Sequence, residues 1–464
     1  MQIQFRSPAC FFVLFAMFIS ATANAQDKID LKVNFSKKQQ CKISATYEHT
    51  GSVIVVPDDP KAELQQLPLS VEGKLSFYQR VTGAEQAIRY FENAEAKITL
   101  DKGKTNPKLA EDNRLIVARL KGKQGGNVEL ASIVGTLEQA ELELIQNPAD
   151  PLTLANILTK SGVKVGDKWD PKDADLAKLL NVHTINESDV QLFLKKADKA
   201  TARVYIMGSV SAEVDDVETQ LEVSGVAIVD LKKQWVNAFK IGIREQREPG
   251  QIAPGFNGKT KIDMQIMPGE SSPNLSNASL AKFTKSRKIR QRLKWSPEVS
   301  HLLLTYDPHW KMIAAEGDAA ILRYIDKRDL LTQCNIVQLP SRSPDAPLSL
   351  NSYKLEVGKI VKADKNARLV RANETKTETG LRALQVVVAG EEDELAVNWL
   401  YFHVSAKDGR QVTFVFTLAE EVAGKVKPIA EQLVNEFAFK AMPDRKAAAQ
   451  RQSQKPATTS SRKR

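Results

Sequence analysis

Alternation of apolar and polar positions is the strongest signal in this chain, and it is densest between Glu187 and Met267. Val190, Leu192 and Leu194 alternate with polar neighbours until Ala197-Asp198-Lys199-Ala200 offers a turn. Val204, Ile206, Val210, Ala212 and Val214 then share one face, with Arg203, Tyr205, Ser209, Ser211 and Glu213 on the other. Asp215-Asp216 turns the chain, and Leu221, Val223, Ala227 and Val229 return it. Trp235, Phe239, Ile241 and Ile243 follow opposite Lys240, Arg244 and Gln246, and Ile262, Met264 and Ile266 close the set. Period-two alternation over strands this long predicts an antiparallel β-meander with one face on a core and the other in water.

The stretch from Gln26 to about Gly135 repeats the pattern, through Ile43-Ala45-Tyr47, Leu67–Gln79, Ala96–Leu100 and Leu115–Leu120. Helical signals interrupt it. Asp150 is placed as an N-cap with Pro151 at the first helical position, and Asp173 is placed as the cap of a second helix bearing Leu176, Leu179 and Leu180. Residues 26–268 therefore read as one domain, a curved meander or open barrel with two short helices, within a helical insert at about 149–182.

Residues 269–297 have a different composition. Turn-forming residues come first, and then Lys282, Lys285, Arg287, Lys288, Arg290, Arg292 and Lys294 follow with no acid between them. Unopposed like charge predicts a solvated linker, with an amphipathic helix over Lys282–Leu293 as the alternative. Residues 298–441 return to strands, at Leu302–Tyr306, Trp310–Ala314, Ala319–Ile325 and Leu331–Val337. Ser349 caps a helix, two more strands follow, and Lys407-Asp408-Gly409-Arg410 joins a hairpin. Pro428 is read as opening a last helix. This domain is an antiparallel sheet with two helices, and the whole chain is of the α+β class.

The order of those elements, entered through Tyr306-Asp307-Pro308-His309-Trp310, resembles the α/β/α sandwich of PsbP-like proteins of the photosynthetic lumen and related bacterial envelope proteins. Members of that fold mostly bind or scaffold, and that is what the likeness implies here. The chain as a whole is similar to a family of large exported bacterial proteins. These pair a β-rich domain bearing a Val-Gly-Asp-Lys-Trp-like turn, Val165–Trp169 here, with such a C-terminal domain.

Composition changes the picture in three places. Residues 1–25 combine Arg6, an apolar run from Cys10 to Ile19 and a small-residue site at Ala23-Asn24-Ala25. That pattern predicts a signal peptide, and hence a periplasmic or extracellular protein. Beyond it only Cys41 and Cys334 remain, too few for a disulfide scaffold and expected as two buried thiols. The formal charge of +10 is concentrated in the linker and in a tail at 442–464 that ends Arg462-Lys463-Arg464. The rest of the chain is mildly acidic, so the cations point to anionic envelope polymer or a lipid surface. Without interleaved aromatics they predict no specific nucleic acid.

No His-Glu-x-x-His pair, nucleophile elbow, phosphate loop or dinucleotide fingerprint occurs, so no catalytic residue, metal ligand or cofactor is assigned. The functional expectation is an exported, non-enzymatic binding or scaffolding protein of the cell envelope. One alternative is a carrier holding an apolar ligand or lipid against Val204, Ile206, Trp235, Phe239 and Ile241. A hydrolase built without a motif is the third.

Overall fold

The computed structural model describes residues 28–34, 39–57, 63–83, 85–120, 128–214, 217–250, 253–284, 291–297, 300–326, 329–361, 367–392 and 395–441. The expected signal peptide at 1–25 and basic tail at 442–464 lie outside them.

Thirteen antiparallel strands form the N-terminal sheet. Its centre is the strand Gln40–Val55, which pairs with Gln65–Gly83 on one side and with Gly255–Pro268 on the other. The meander read from Thr201 to Pro268 therefore docks its last strand onto an early one, in a register running from Cys41↔Pro268 to Ile54↔Gly255. That register places Ile43, Ala45 and Tyr47 on the same buried face as Ile262, Met264 and Ile266, and a one-residue slip would turn each set to water. The sheet keeps two edges, at Lys168–Trp169 and Val128–Ser132, and is not a closed barrel.

The apolar face is covered by Gln139–Ile145, a 3-10 turn at Pro151–Thr153, Leu154–Leu158 and Asp173–Leu180. Ile157, Leu158, Leu176, Leu179 and Leu180 join the same buried cluster as the strand residues beneath them. Asp150 caps as expected, accepting from the Leu152 N–H at 2.9 Å. Asp173 is instead the first helical residue, after Lys172 at the N-cap, where its charge favours the positive end of the helix dipole.

The expected linker is built into the fold wherever it is described. Pro273–Leu275 and Asn277–Thr284 are helical and Leu293–Trp295 is a strand, while 285–290, the middle of the alternative helix over Lys282–Leu293, lie outside the described residues. Its apolar minority decides this: Leu275, Leu280, Leu293 and Trp295 are all buried. Like charge is offset by ion pairs, Lys294 with Glu138 at 3.8 Å and Arg292 with Glu436. Leu293–Trp295 enters a small sheet with Leu302–Tyr306, Phe437–Phe439 and, in parallel, Leu137–Glu138. One apolar cluster consequently runs from Leu31 through to Phe437.

The C-terminal sheet has seven antiparallel strands, ordered Trp310–Glu316, Ala319–Asp326, Asp329–Leu339, Gln411–Ala419, Leu395–Ser405, Arg382–Glu392 and Arg368–Lys376. Leu384, Val386 and Val388 pack under the helix Leu350–Val361. Ala383, Phe402 and Val404 belong to the opposite face, in the cluster that includes Val426 and Leu433 of the helix Ala423–Asn435. Pro428 lies inside that last helix and does not open it. It removes a single hydrogen bond in the second turn, and the carbonyl its ring crowds belongs to Gly424.

Cys41 and Cys334 are separate buried thiols. Burial pushes the Cys41 thiol up to about 12 and raises Cys334 well above its ordinary value, so neither supplies a thiolate.

Gly73 stands opposite Tyr47 in the central strand pair, and a Cβ there would lie 2.0 Å from Tyr47 Cζ. The ring occupies the place of the missing side chain, and its hydroxyl donates to the Leu144 carbonyl at 3.2 Å. Gly73→Ala should therefore lower the unfolding free energy by about 1–3 kcal/mol, as overpacking does. Gly358, on a helix with nothing within 4 Å, is the control: Gly358→Ala should raise it by up to about 1 kcal/mol. Urea midpoints of the two variants should move in opposite directions, and equal shifts would contradict this packing.

Candidate functional site

Two concavities among the described residues differ in their chemistry. The first lies at one end of the C-terminal sheet, on the side covered by the helix Leu350–Val361. Three separated segments build it: the loop Arg342–Leu348, the strand ends around Lys376–Arg382, and the hairpin from His403 to Gln411. It encloses about 540 Å³. Gly409 fixes one wall. Its φ of 88° completes the hairpin with Asp408 in ordinary backbone geometry, and it leaves room for the Arg342 carbonyl, which a Cβ would meet at 2.0 Å. The Arg342 N–H donates to the Gly409 carbonyl at 2.9 Å and holds the two walls together.

Four cations line this pocket, Arg342, Lys376, Arg382 and Lys407, and no carboxylate does. Arg382 is fully committed. Its fork grips Glu374 at 2.7 and 2.8 Å, and Nη1 donates to the Leu348 carbonyl at 2.5 Å. Arg342 reaches Glu356 at 3.3 Å. Leu348, Leu381, Pro344 and Pro347 supply apolar wall.

His403 also lines the pocket and is only 1% exposed. The Gln411 side-chain amide donates to the Pro340 carbonyl, so its oxygen faces His403 as an acceptor and Nε2–H donates to it at 2.8 Å. That assignment leaves Nδ1 as a buried lone pair with no hydrogen-bond partner. Burial holds the imidazole below its ordinary pKa, so the ring is neutral at pH 7.

The second concavity, about 740 Å³, crosses the outer face of the N-terminal sheet. Two cross-strand rows form it, Tyr205-Val226-Lys240-Asp263 and Met207-Ser224-Gly242-Lys261. Lys240 pairs with Asp263, and Lys261 lies 4.0 Å from Glu48. Its charges are matched internally, so it selects for no ligand charge.

The carrier residues Val204, Ile206, Trp235, Phe239 and Ile241 are all buried in one apolar cluster, at most 3% exposed. The chain's own helices cover them. A small void beside Tyr47, Arg89 and Asp150 measures about 30 Å³. Of the basic segment, Lys282 is exposed, Arg292 and Lys294 are in ion pairs, and Lys285, Arg287, Lys288 and Arg290 lie outside the described residues, as do Arg462, Lys463 and Arg464. His309 bonds Asp307, which raises its pKa, but both side chains sit in an open turn, 58% and 42% exposed.

Sequence reasoning missed the buried pair of Arg89 and Asp150, at 2.6 and 2.7 Å. It was legible in the alternation Ala87-Arg89-Phe91, which points an arginine inward.

No family model matches the chain, and no curated protein does. Among solved structures it is similar to cyanobacterial PsbP from Synechocystis sp. PCC 6803, at 15% identity over 37% of this chain and 98% of that one, with a TM-score of 0.27. It is also similar to LpqN of Mycobacterium tuberculosis, involved in cell envelope biogenesis, at 10% identity over 37% of this chain and 100% of that one, TM-score 0.25. Lipovitellin aligns at 8% identity over 53% of this chain and 26% of its own length, TM-score 0.29. Likenesses this distant carry no argument about function. No described helix is long and apolar enough to cross a membrane.

A histidine kept neutral by burial takes up a proton more readily once the chain unfolds. The unfolded imidazole titrates near ~6.5, so the stability tied to His403 is complete above that pH and is lost as pH falls below it. The stability difference between wild type and His403→Gln should shrink from pH 7 to pH 5 in urea titrations. A difference that grows on acidification would contradict a neutral, buried His403.

Proposed function

We propose that the chain is an exported, non-enzymatic binding protein of the cell envelope whose ligand site is the pocket at the end of the C-terminal sheet. The observation that carries this reading is the pocket itself: about 540 Å³ with mixed apolar and cationic walls. That volume is in the range of small-molecule sites, which combine apolar lining with a few fixed polar groups. The pattern of residues 1–25 supports export.

In this reading residues 26–268 serve as scaffold and 298–441 as the binding domain. Lys282 and the cations of the tail hold the protein to anionic envelope polymer or lipid head groups. Carriage of a lipid by the N-terminal sheet would require its covering helices to leave, because its apolar face is already occupied.

Protein purified from its native source should carry a small molecule detectable by native mass spectrometry. Ser405→Trp, which fills the pocket, should lose that molecule while keeping the far-UV spectrum and unfolding midpoint of the wild type. Full retention of the same molecule by the variant, or its absence from the native protein, would contradict this assignment.

A further inference from the structure

We infer that the helix Leu350–Val361 is a flap that acidification releases from the C-terminal sheet, with protonation of the buried His403 beneath it as the trigger. The first observation behind this is how weakly the flap is held. Leu348, Tyr353, Val357, Leu384, Val386 and Val388 form a small apolar cluster of their own, separate from the one that runs from Leu31 to Phe437. Tyr353 and Val357 are the only buried side chains of the helix, while Leu355 and Ile360 are 69% and 61% exposed. An element held by so few buried apolar groups opens at a lower free energy than the strands beneath it.

The second observation is where the trigger sits. His403 stands opposite Leu384 in the strand register, on the face the helix covers, with the Tyr353 ring 5.5 Å from the imidazole. Its Nε2–H is given to Gln411, and Nδ1 is buried with no hydrogen-bond partner. Protonation would turn Nδ1 into a buried N–H with no acceptor in reach and would place a charge out of water. The groups around it do not offset that cost. Arg342, Lys376, Arg382 and Lys407 share the pocket with His403 and repel a further positive charge. Glu356 of the helix and Glu374 of the edge strand are engaged by Arg342 and Arg382. Tyr353 and Tyr401 have raised pKa values and stay neutral. The imidazolium is therefore favoured only where the helix has left and the ring meets water. Leu348 of the pocket wall lies two residues before the helix, and Arg342 of the same loop is tied to Glu356, so release of the helix also loosens that wall. The opening itself does not depend on what the pocket binds.

Burial holds the closed-state imidazole below its ordinary pKa, whereas the ring of the opened state titrates near ~6.5. Closure is therefore complete above that pH and is lost as pH falls below it. Hydrogen exchange of the intact protein at pH 7, 6 and 5, read by mass spectrometry as protection factors, tests this, since those factors remove the intrinsic pH dependence of exchange. Peptides from Leu350–Val361 should be less protected than peptides from Gln411–Ala419 at every pH. Their protection should fall by about fivefold or more between pH 7 and pH 5. In His403→Gln the helix should remain the less protected element, and the fall with pH should vanish. NMR of the wild-type imidazole gives a readout that needs no variant: in the closed protein His403 should titrate below ~6.5. Equal protection of helix and strand peptides would make the opening global and overturn the inference. So would helix protection unchanged from pH 7 to pH 5, a fall that survives in His403→Gln, or an imidazole that titrates at its ordinary pKa in the closed protein.

Discussion

The bidentate pair of Arg89 and Asp150 is the contact on which the larger half of the molecule depends. Arg89 is 1% exposed and Asp150 8%, so both charges are out of water. Each has further partners: Arg89 Nε donates to Gln79, its guanidinium lies 5.2 Å from the Phe77 ring centre, and Asp150 also caps the turn Pro151–Thr153. A buried ion pair contributes little net stability against an apolar replacement, but leaving either member alone costs about 3–5 kcal/mol. Its effect is therefore one of register. Only the arrangement that sets Asp150 over the inner face of the strand Gln86–Leu100 avoids an unpaired charge, and that arrangement lays the following helices across the sheet.

This constraint separates the two halves by what they do with their apolar faces. In the N-terminal sheet the face is filled from within, by Tyr47 against Gly73 and by the helices that Asp150 anchors. In the C-terminal sheet the helix Leu350–Val361 covers Leu384, Val386 and Val388 and reaches His403 with the Tyr353 ring, 5.5 Å away, and the pocket lies at the end of the sheet beside His403 and Ser405. The loop and hairpin that flank that end enclose a volume where they could have packed solid.

Strands were the most legible part of the sequence, because period-two alternation reports directly on which side of a sheet is buried. The strands read between Glu187 and Met267 are present from Gln191 to Pro268, and so is the Asp408-Gly409 hairpin. Segments whose fate depends on distant partners were not legible. Seven cations without an acid nearby predicted a solvated 281–295, yet the acids that pair with Arg292 and Lys294 come from Glu436 and Glu138. Pro428 misled for a local reason, since proline favours a first turn but is tolerated just after it. The pocket has no sequence signature because Arg342, Lys376 and Lys407 come from one strand-to-helix loop and two hairpins that meet only in the fold. The tautomer of His403 follows from Gln411 and Pro340, which no spacing rule connects.

If the N-terminal sheet is a closed scaffold and not a carrier, its covering helices open only when the whole molecule unfolds. Native-state hydrogen exchange at the amides of Ala149, Leu152 and Thr153, which bond Leu179, Asp150 and Asp150 in turn, measures this directly. These amides should exchange with the same free energy and denaturant dependence as the central strand amides of Ile43 and Ala45. Exchange by a separate opening of much lower free energy, with the strand amides still protected, would show that the helices lift off alone and that the apolar face is accessible to a ligand.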